Sequence, residues 1–126
     1  MRNYRKYQVW ELSHQLVKEV YPLTSKFPKE ELFGMVSQIR RAVASIPTNI
    51  AEGCGRLTDK EFGRFIDISL GSVNETEYLL FLSAELGYLS EEEFLPFSEK
   101  INIIRQKLIQ LRKKLLEQNN PQDKID

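Results

Sequence analysis

The feature that most constrains the fold is a spacing of apolar residues in steps of three and four, which recurs in four separate stretches of the chain. Such spacing places apolar side chains on one face of an α-helix. The longest example comprises Phe94, Phe97, Ile101, Ile104, Leu108, Leu111 and Leu115. At 1.5 Å per residue, the helix that carries it is about 40 Å long.

A proline separates the first two predicted helices. The first is predicted over about 8–26, because Pro28 disfavours a helical conformation at the residue before it. The second is predicted from about Lys29 to Gly53. Pro47 lies inside the second helix and removes a backbone donor, but the apolar spacing continues through it unchanged. The sequence therefore predicts one helix kinked at Pro47 and not two separate helices.

The third and fourth predicted helices each begin with a capping box. In such a box, a hydroxyl accepts from a backbone N–H three residues later and the acidic side chain there reaches back. Thr58 and Glu61 form the first box, and Ser90 and Glu93 form the second. Gly87 suits the C-terminal end of the third helix.

Four long amphipathic helices with short connections predict an all-α fold, an up-down-up-down antiparallel four-helix bundle. A coiled-coil rod is the weaker alternative, because prolines and glycines divide the chain into segments of similar length. The bundle is expected to occupy 1–118 as one domain. The polar segment 119–126 is expected to be a disordered tail.

The charges of the chain sum to zero, since 18 Lys and Arg balance 18 Asp and Glu. This balance argues against a uniformly basic protein that coats nucleic acid. The distribution is uneven: residues 1–57 carry nine basic and five acidic side chains, 58–99 carry two and ten, and 100–126 carry seven and three. This segregation indicates either ordinary solvated surface or two surfaces of opposite charge through which copies dock.

Two of the predicted helices carry more apolar residues than one bundle core can bury. Residues 78–82 read Tyr-Leu-Leu-Phe-Leu and cover the whole circumference of the third helix. The fourth helix adds Leu95, Ile103, Ile109 and Leu116 outside its main stripe. A helix that is apolar all round is buried on more than one side. This excess predicts a homo-oligomer, with wide packing in a monomer as the alternative.

The sequence contains no recognisable catalytic constellation, so no enzyme activity and no cofactor are predicted. His14 is the single histidine and is expected to be solvated, and the single cysteine, Cys54, is expected to be inert. Glu75 and Glu77 lie two residues apart on a helix and face different directions. No secretory signal or membrane-spanning segment is visible, which predicts a cytoplasmic protein that does not bind membranes.

The second helix carries a polar stripe on the side opposite its apolar face. The stripe consists of Gln38, Arg41, Ser45, Asn49 and Glu52. Asn49 and Ser45 can satisfy backbone carbonyls freed by the proline at position 47, and Glu52 can pair with Arg40 or Arg41 of a neighbouring copy. A structural role at a subunit seam is the preferred interpretation, and phosphate contact by the two arginines is the alternative.

The run 38–53 closely resembles the signature of the 23S rRNA intervening-sequence protein family, which consists of small bacterial four-helix bundle proteins. Supporting matches are Phe27–Pro28, Gly71–Ser72 followed by Glu75, and Leu86–Leu89. The resemblance covers about 8–117, and the N-terminal residues follow the family only loosely.

The resemblance implies a pentamer. The family is similar to the accessory variability protein of diversity-generating retroelements, a pentameric barrel of four-helix bundles that binds nucleic acid and a reverse transcriptase. That protein relies on a strongly basic surface, which this neutral chain lacks. The location of some family genes within 23S rRNA genes does not show that their products are ribosomal components.

These observations predict a non-enzymatic, oligomeric four-helix bundle scaffold that binds RNA or DNA through local basic strips. The alternative is a protein-interaction adaptor without nucleic-acid binding. The candidate subunit-interface or motif residues are Gln38, Arg41, Ser45, Pro47, Asn49, Glu52, Glu75, Tyr78 and Phe81. The candidate nucleic-acid contacts are Arg40, Arg41, Arg56, Lys100, Arg105, Lys107, Arg112, Lys113 and Lys114.

Overall fold

The computed structural model of the protein describes residues 2–118, in which four α-helices form an antiparallel bundle. The helices are α1 (Gln8–Thr24), α2 (Met35–Cys54), α3 (Asp59–Glu85) and α4 (Glu91–Gln118). Two short 3₁₀ turns, Tyr4–Lys6 and Lys29–Glu31, precede α1 and α2. Helix α2 packs between α1 and α3, and α4 packs against both α3 and α1. The predicted all-α four-helix bundle is confirmed.

The turns before α3 and α4 confirm the predicted helix starts, but only the second forms a complete capping box, because the Glu61 side chain does not bond back to the Thr58 N–H. Thr58 Oγ1 accepts from the Glu61 N–H at 3.1 Å. Ser90 Oγ accepts from the Glu93 N–H at 3.1 Å, while the Ser90 N–H donates to Glu93 Oε1 at 2.9 Å. Gly87 has a φ of +82°, which other residues adopt only with strain, and this explains the glycine after α3.

The ends of α1 and α2 differ from the sequence prediction. Helix α1 ends at Thr24, and α2 begins at Met35 rather than near Lys29. The physical reason is Gly34, whose φ of −109° and ψ of −108° are not helical and separate the Lys29–Glu31 turn from α2. Helix α2 continues through Pro47 without interruption, and the kink there stays a prediction. The predicted tail, 119–126, lies outside the described residues.

The core lies along the common axis of the four helices. Its largest fully buried side chains are Leu16, Ile39, Ile46, Ile50, Phe62, Ile66, Leu80, Ile101, Ile104 and Leu108. Buried hydroxyls are mixed with them on α3: Thr76 Oγ1 donates to the Ser72 carbonyl at 2.8 Å, and Ser83 Oγ donates to the Leu79 carbonyl at 2.7 Å. Within residues 2–118, every buried side-chain nitrogen or oxygen has a hydrogen-bond partner.

Candidate functional site

A polar groove lies between α2 and α3 on the outside of the bundle. Its lining residues are Gln38, Arg41, Ala42 and Ser45 from α2 and Glu75 from α3, around a cavity of about 440 Å³. We call this the α2–α3 groove. The packing of α2 on α3 thus brings Glu75 to three residues of the predicted polar stripe. Neither Arg41 nor Glu75 forms an ion pair or side-chain hydrogen bond within residues 2–118.

Short polar side chains join α2 to α3 below this groove. Ser72 Oγ of α3 donates to Ser45 Oγ at 2.9 Å, and the Asn49 side-chain amide donates to Ser45 Oγ at 2.9 Å. Asn49 also donates to the Ser45 carbonyl at 2.8 Å. The sequence predicted that Asn49 would bond a carbonyl freed by Pro47. The carbonyl that loses its helical donor is that of Val43, whereas Asn49 bonds that of Ser45. These hydrogen bonds fasten α2 to α3 along the line where the two helices meet.

The side of α2 that faces α1 carries two other motif residues and one candidate nucleic-acid contact, away from the α2–α3 groove. Pro47 is buried against α1, and Glu52 borders a second groove there. Arg40 Nε donates to Thr24 Oγ1 at 3.0 Å, and its guanidinium lies 4.6 Å from the centre of the Tyr21 ring. The sequence prediction did not distinguish these two sides of α2.

The outer face of α3 exposes the apolar surplus that the sequence predicted. Tyr78 is 58% exposed and Phe81 is 49% exposed, whereas Leu79 and Leu80 are buried in the core. The Phe81 ring also packs edge-on against Phe94 of α4 at 6.3 Å.

Sequence reasoning missed the exposure of four residues, two on this face of α3 and two in the connections of α2. Ile68, on the same side of α3, is half exposed, and Gly71 between it and Tyr78 has no atom within 4 Å of the position a Cβ would take. Their spacing along the helix was the signal that could have identified them. Phe33 and Leu57 are 92% and 94% exposed in the connections before and after α2, where no periodicity marks them.

Comparison with known proteins agrees with this architecture. The sequence profile described as "23S rRNA-intervening sequence protein" matches residues 5–110, most of the chain. The chain belongs to this family. A similar solved structure is a protein of unknown function from the S23 ribosomal protein family of Bacteroides thetaiotaomicron. It is 27% identical, with a TM-score of 0.75, over 83% of this chain and 98% of the neighbour. No curated protein matches the chain.

In this member of the family, most candidate nucleic-acid contacts on α4 already have partners within the chain. Arg105 Nη2 contacts Glu77 Oε1 at 2.5 Å, and Arg112 Nε donates to Asp67 Oδ1 at 2.7 Å. Lys107 donates to Gln8 at 3.0 Å, and Lys100 pairs with an acidic side chain of α1. These contacts hold α4 against α3 and α1 and leave those cations less available to phosphates.

The remaining candidates differ in their surroundings. The Arg56 guanidinium lies 4.6 Å from the centre of the Phe65 ring. Arg41, Lys113 and Lys114 are exposed, and none of the three has an ion pair or hydrogen bond from its side chain among the described residues. Arg56 has no such bond either, so four cations of the predicted set lack an ion pair or side-chain hydrogen bond among the described residues.

The basic and acidic segments of the sequence form ion pairs with each other within one chain. Among residues 2–118, four of the five ion pairs join a basic segment to the acidic segment 58–99. They are Arg2–Asp59, Lys26–Glu93, Arg105–Glu77 and Arg112–Asp67. Docking between copies through opposite charges stays a prediction. Only the charges left unpaired in the bundle are available for it.

The antiparallel topology also sorts charge along the bundle axis. One end comprises 2–11, 52–67 and 108–118 and carries nine basic and six acidic side chains. The opposite end comprises 18–34 and 77–100 and carries four basic and nine acidic side chains. We call them the basic end and the acidic end. The molecule is dipolar, although the net charge of the whole sequence is zero.

The single cysteine and histidine take no part in a reactive cluster. Cys54 is 1% exposed, and its burial raises the pKa of the thiol. His14 is half-buried rather than solvated, because its ring stacks on Trp10 at 4.9 Å. No group of three or more His, Cys, Asp or Glu side chains in the described part of the chain could hold a metal ion. No helix in that part is long and apolar enough to cross a bilayer.

Proposed function

We propose that the protein is a non-enzymatic scaffold that works as a homo-oligomer in the cytoplasm. The observation that carries the proposal is the exposure of large apolar side chains on α3, where Tyr78 is 58% exposed beside a fully buried core. Complete burial of a fully exposed apolar side chain contributes roughly 1.5–3 kcal/mol, so each half-exposed side chain contributes about half of that to an assembly. The polar α2–α3 groove contains an arginine and a glutamate without partners, which suits a surface that is completed by another chain.

Light scattering of the purified chain tests self-association. The monomer has a mass of 14.8 kDa, and the resemblance to pentameric relatives supports an assembly of five times that mass. A stable multiple of the monomer mass over a wide range of dilution is the expected result. A monomeric mass at all concentrations would contradict the proposal.

The second candidate function is binding of RNA or DNA at the basic end, as part of the same scaffold. The supporting observation is that the bundle gathers exposed cations there, including Lys60, Lys113 and Lys114. Cations of the salt compete with lysine and arginine side chains for phosphates, so binding through these residues weakens steeply as the salt concentration rises. The partners of Arg105, Arg112 and Lys100 argue against the middle of α4 as the contact surface.

Fluorescence anisotropy with a structured rRNA fragment tests this candidate at about 20 mM salt, where screening is weak. The double variant Lys113→Glu/Lys114→Glu is expected to bind more weakly, with a salt slope lower by about one per lysine. Lys18→Glu/Lys29→Glu is the matched control, since it makes the same charge change at the acidic end. Wild-type protein that assembles but binds no RNA or DNA would instead favour a protein-interaction adaptor.

A further inference from the structure

Helix α3 carries a second regular stripe on its outer side. The stripe, here called the outer stripe, consists of Ile68, Gly71, Glu75, Tyr78 and Leu82. Its spacings of three, four, three and four match the seam along which two helices pack in a coiled coil. Ile68 is 50% exposed and Tyr78 is 58% exposed, so the bundle itself does not cover this seam.

Gly71 lies near the middle of α3, a helix of 27 residues. The packing of the described residues does not require a glycine at this position. Its φ is not positive, and beyond its chain neighbours and the adjoining helix backbone no atom lies within 4 Å of the position that a Cβ would take. Glycine in a helix interior costs about 1 kcal/mol relative to alanine. A missing side chain on an exposed seam instead allows another backbone to approach closely.

A groove runs between α1 and α2 on the outside of the bundle. We call it the α1–α2 groove; it consists of two adjoining cavities of about 420 and 440 Å³ that share Ala44. Aromatic side chains of α1 form one wall, and small side chains of α2 form the other. The main lining residues are Trp10, His14, Val17, Tyr21, Ala44, Pro47, Thr48 and Ala51.

The outer stripe is similar in length to the α1–α2 groove, and it carries one charge opposite to a charge at the border of the groove. From Ile68 to Leu82 the stripe spans about 21 Å, and the α2 wall from Arg40 to Ala51 spans about 17 Å. Arg41 borders the groove without an ion pair, and the stripe carries Glu75, which is also unpaired among residues 2–118. Opposite charges at a contact favour one register and one partner.

We propose that the outer stripe of α3 in one copy packs into the α1–α2 groove of the next copy. This inference rests on the self-association proposed above and names the two faces that meet. Because the two faces differ, each copy has one stripe and one groove to offer. Such a contact is heterologous, and it builds a ring when its rotation closes.

Two tryptophan substitutions test the contact. Gly71→Trp fills the gap in the outer stripe, and Thr48→Trp fills the groove from an exposed position; neither site is in the core. Each variant is expected to run as a monomer in light scattering. An equimolar mixture is expected to give a 1:1 dimer, because one variant keeps its groove and the other keeps its stripe. Gln106→Trp, on the exposed side of α4, is the control and keeps the wild-type mass.

The outcomes separate the two proposals. A monomeric wild type overturns self-association itself. An oligomeric wild type whose Gly71→Trp variant keeps its mass overturns the outer stripe as the contact. If Gly71→Trp is monomeric but Thr48→Trp still assembles, the outer stripe packs against a surface other than the α1–α2 groove. The proposed contact between stripe and groove is then wrong. Circular dichroism melting verifies folding, and Ala44→Arg replaces Thr48→Trp if the latter unfolds.

Discussion

The inner and outer sides of α3 show how one helix can serve two kinds of packing. On the inner side, Phe62, Ile66, Val73 and Leu80 are fully buried, and the hydroxyls among them donate to backbone carbonyls. On the outer side, apolar residues recur with the same helical spacing but remain half exposed. The fold explains the inner side completely. The packing of the described residues does not explain the outer side, which is where the proposed contact between copies lies.

The largest expected effect lies on the inner side. Phe62 is fully buried, its ring packs edge-on against Tyr7 at 5.8 Å, and the Arg2 guanidinium lies 4.7 Å from its centre. Phe62→Ala is expected to lower the free energy of unfolding by about 3–5 kcal/mol, because it leaves a cavity. Urea unfolding at fixed protein concentration measures this loss. A loss similar to that of an exposed substitution such as Gln106→Ala would refute the assigned core.

A second prediction concerns the close approach between the end of α2 and the start of α3. A Cβ on Gly53 would lie 2.7 Å from Phe62 Cδ1 and 2.9 Å from Phe65 Cβ. Gly53→Ala is therefore expected to destabilise the protein by about 1–3 kcal/mol through overpacking. Gly55→Ala is the control, because its Cβ would meet only the Glu52 carbonyl oxygen at 3.4 Å. Equal urea midpoints for the two variants would contradict this packing.

On the outer side of α3, replacing a glycine by alanine is expected to raise the stability of the protein rather than lower it. Gly71→Ala in the Thr48→Trp background, where chains are expected to stay single, should stabilise α3 by up to about 1 kcal/mol. Thermal unfolding measures the gain. Gly63→Ala is the contrasting variant, since its Cβ would lie 2.5 Å from Arg112 Nη1 and displace that side chain. A loss of stability in Gly71→Ala would show that the chain itself needs this glycine.

The smallest effect is expected at the exposed start of α4, which neither side of α3 covers. Hydrogen bonding from the Ser90 backbone N–H lowers the pKa of Glu93 below its usual value of 4.5. A lowered folded-state pKa contributes stability above the unfolded-state value, and this stability is lost as the pH falls through the folded-state pKa. Glu93→Gln should therefore differ from wild type at pH 7 and converge with it in acid. Thermal melts across pH 2–7 measure the convergence; a constant difference would contradict the cap.

Local sequence signals predicted most of the fold. The capping boxes at Thr58 and Ser90 and the glycine at position 87 correspond to actual helix ends, because caps depend on residues within one turn. The start of α2 was misplaced, since the backbone at Gly34 interrupts a stretch whose composition still suits a helix. The kink at Pro47 stays a prediction.

The candidate site was only partly predictable. Helical spacing placed Gln38, Arg41 and Ser45 on one stripe, but it could not show that Glu75 completes their groove, because that depends on how α3 packs on α2. Spacing also could not show that Arg40 turns to α1 and that Arg112 pairs with α3. Long charged side chains reach partners that are distant in sequence, so their availability is a tertiary property.

The sequence alone determined four amphipathic helices, their caps, a family resemblance and an excess of apolar residues, since all of these depend on near neighbours along the chain. Only the tertiary structure decided which charges are neutralised and where the excess is exposed. Charges that sum to zero along the sequence are sorted in the described residues into a basic end with nine cations and six anions and an acidic end with four cations and nine anions. The reason is that antiparallel packing places the start of α1, the end of α4 and the α2–α3 turn at one end of the bundle.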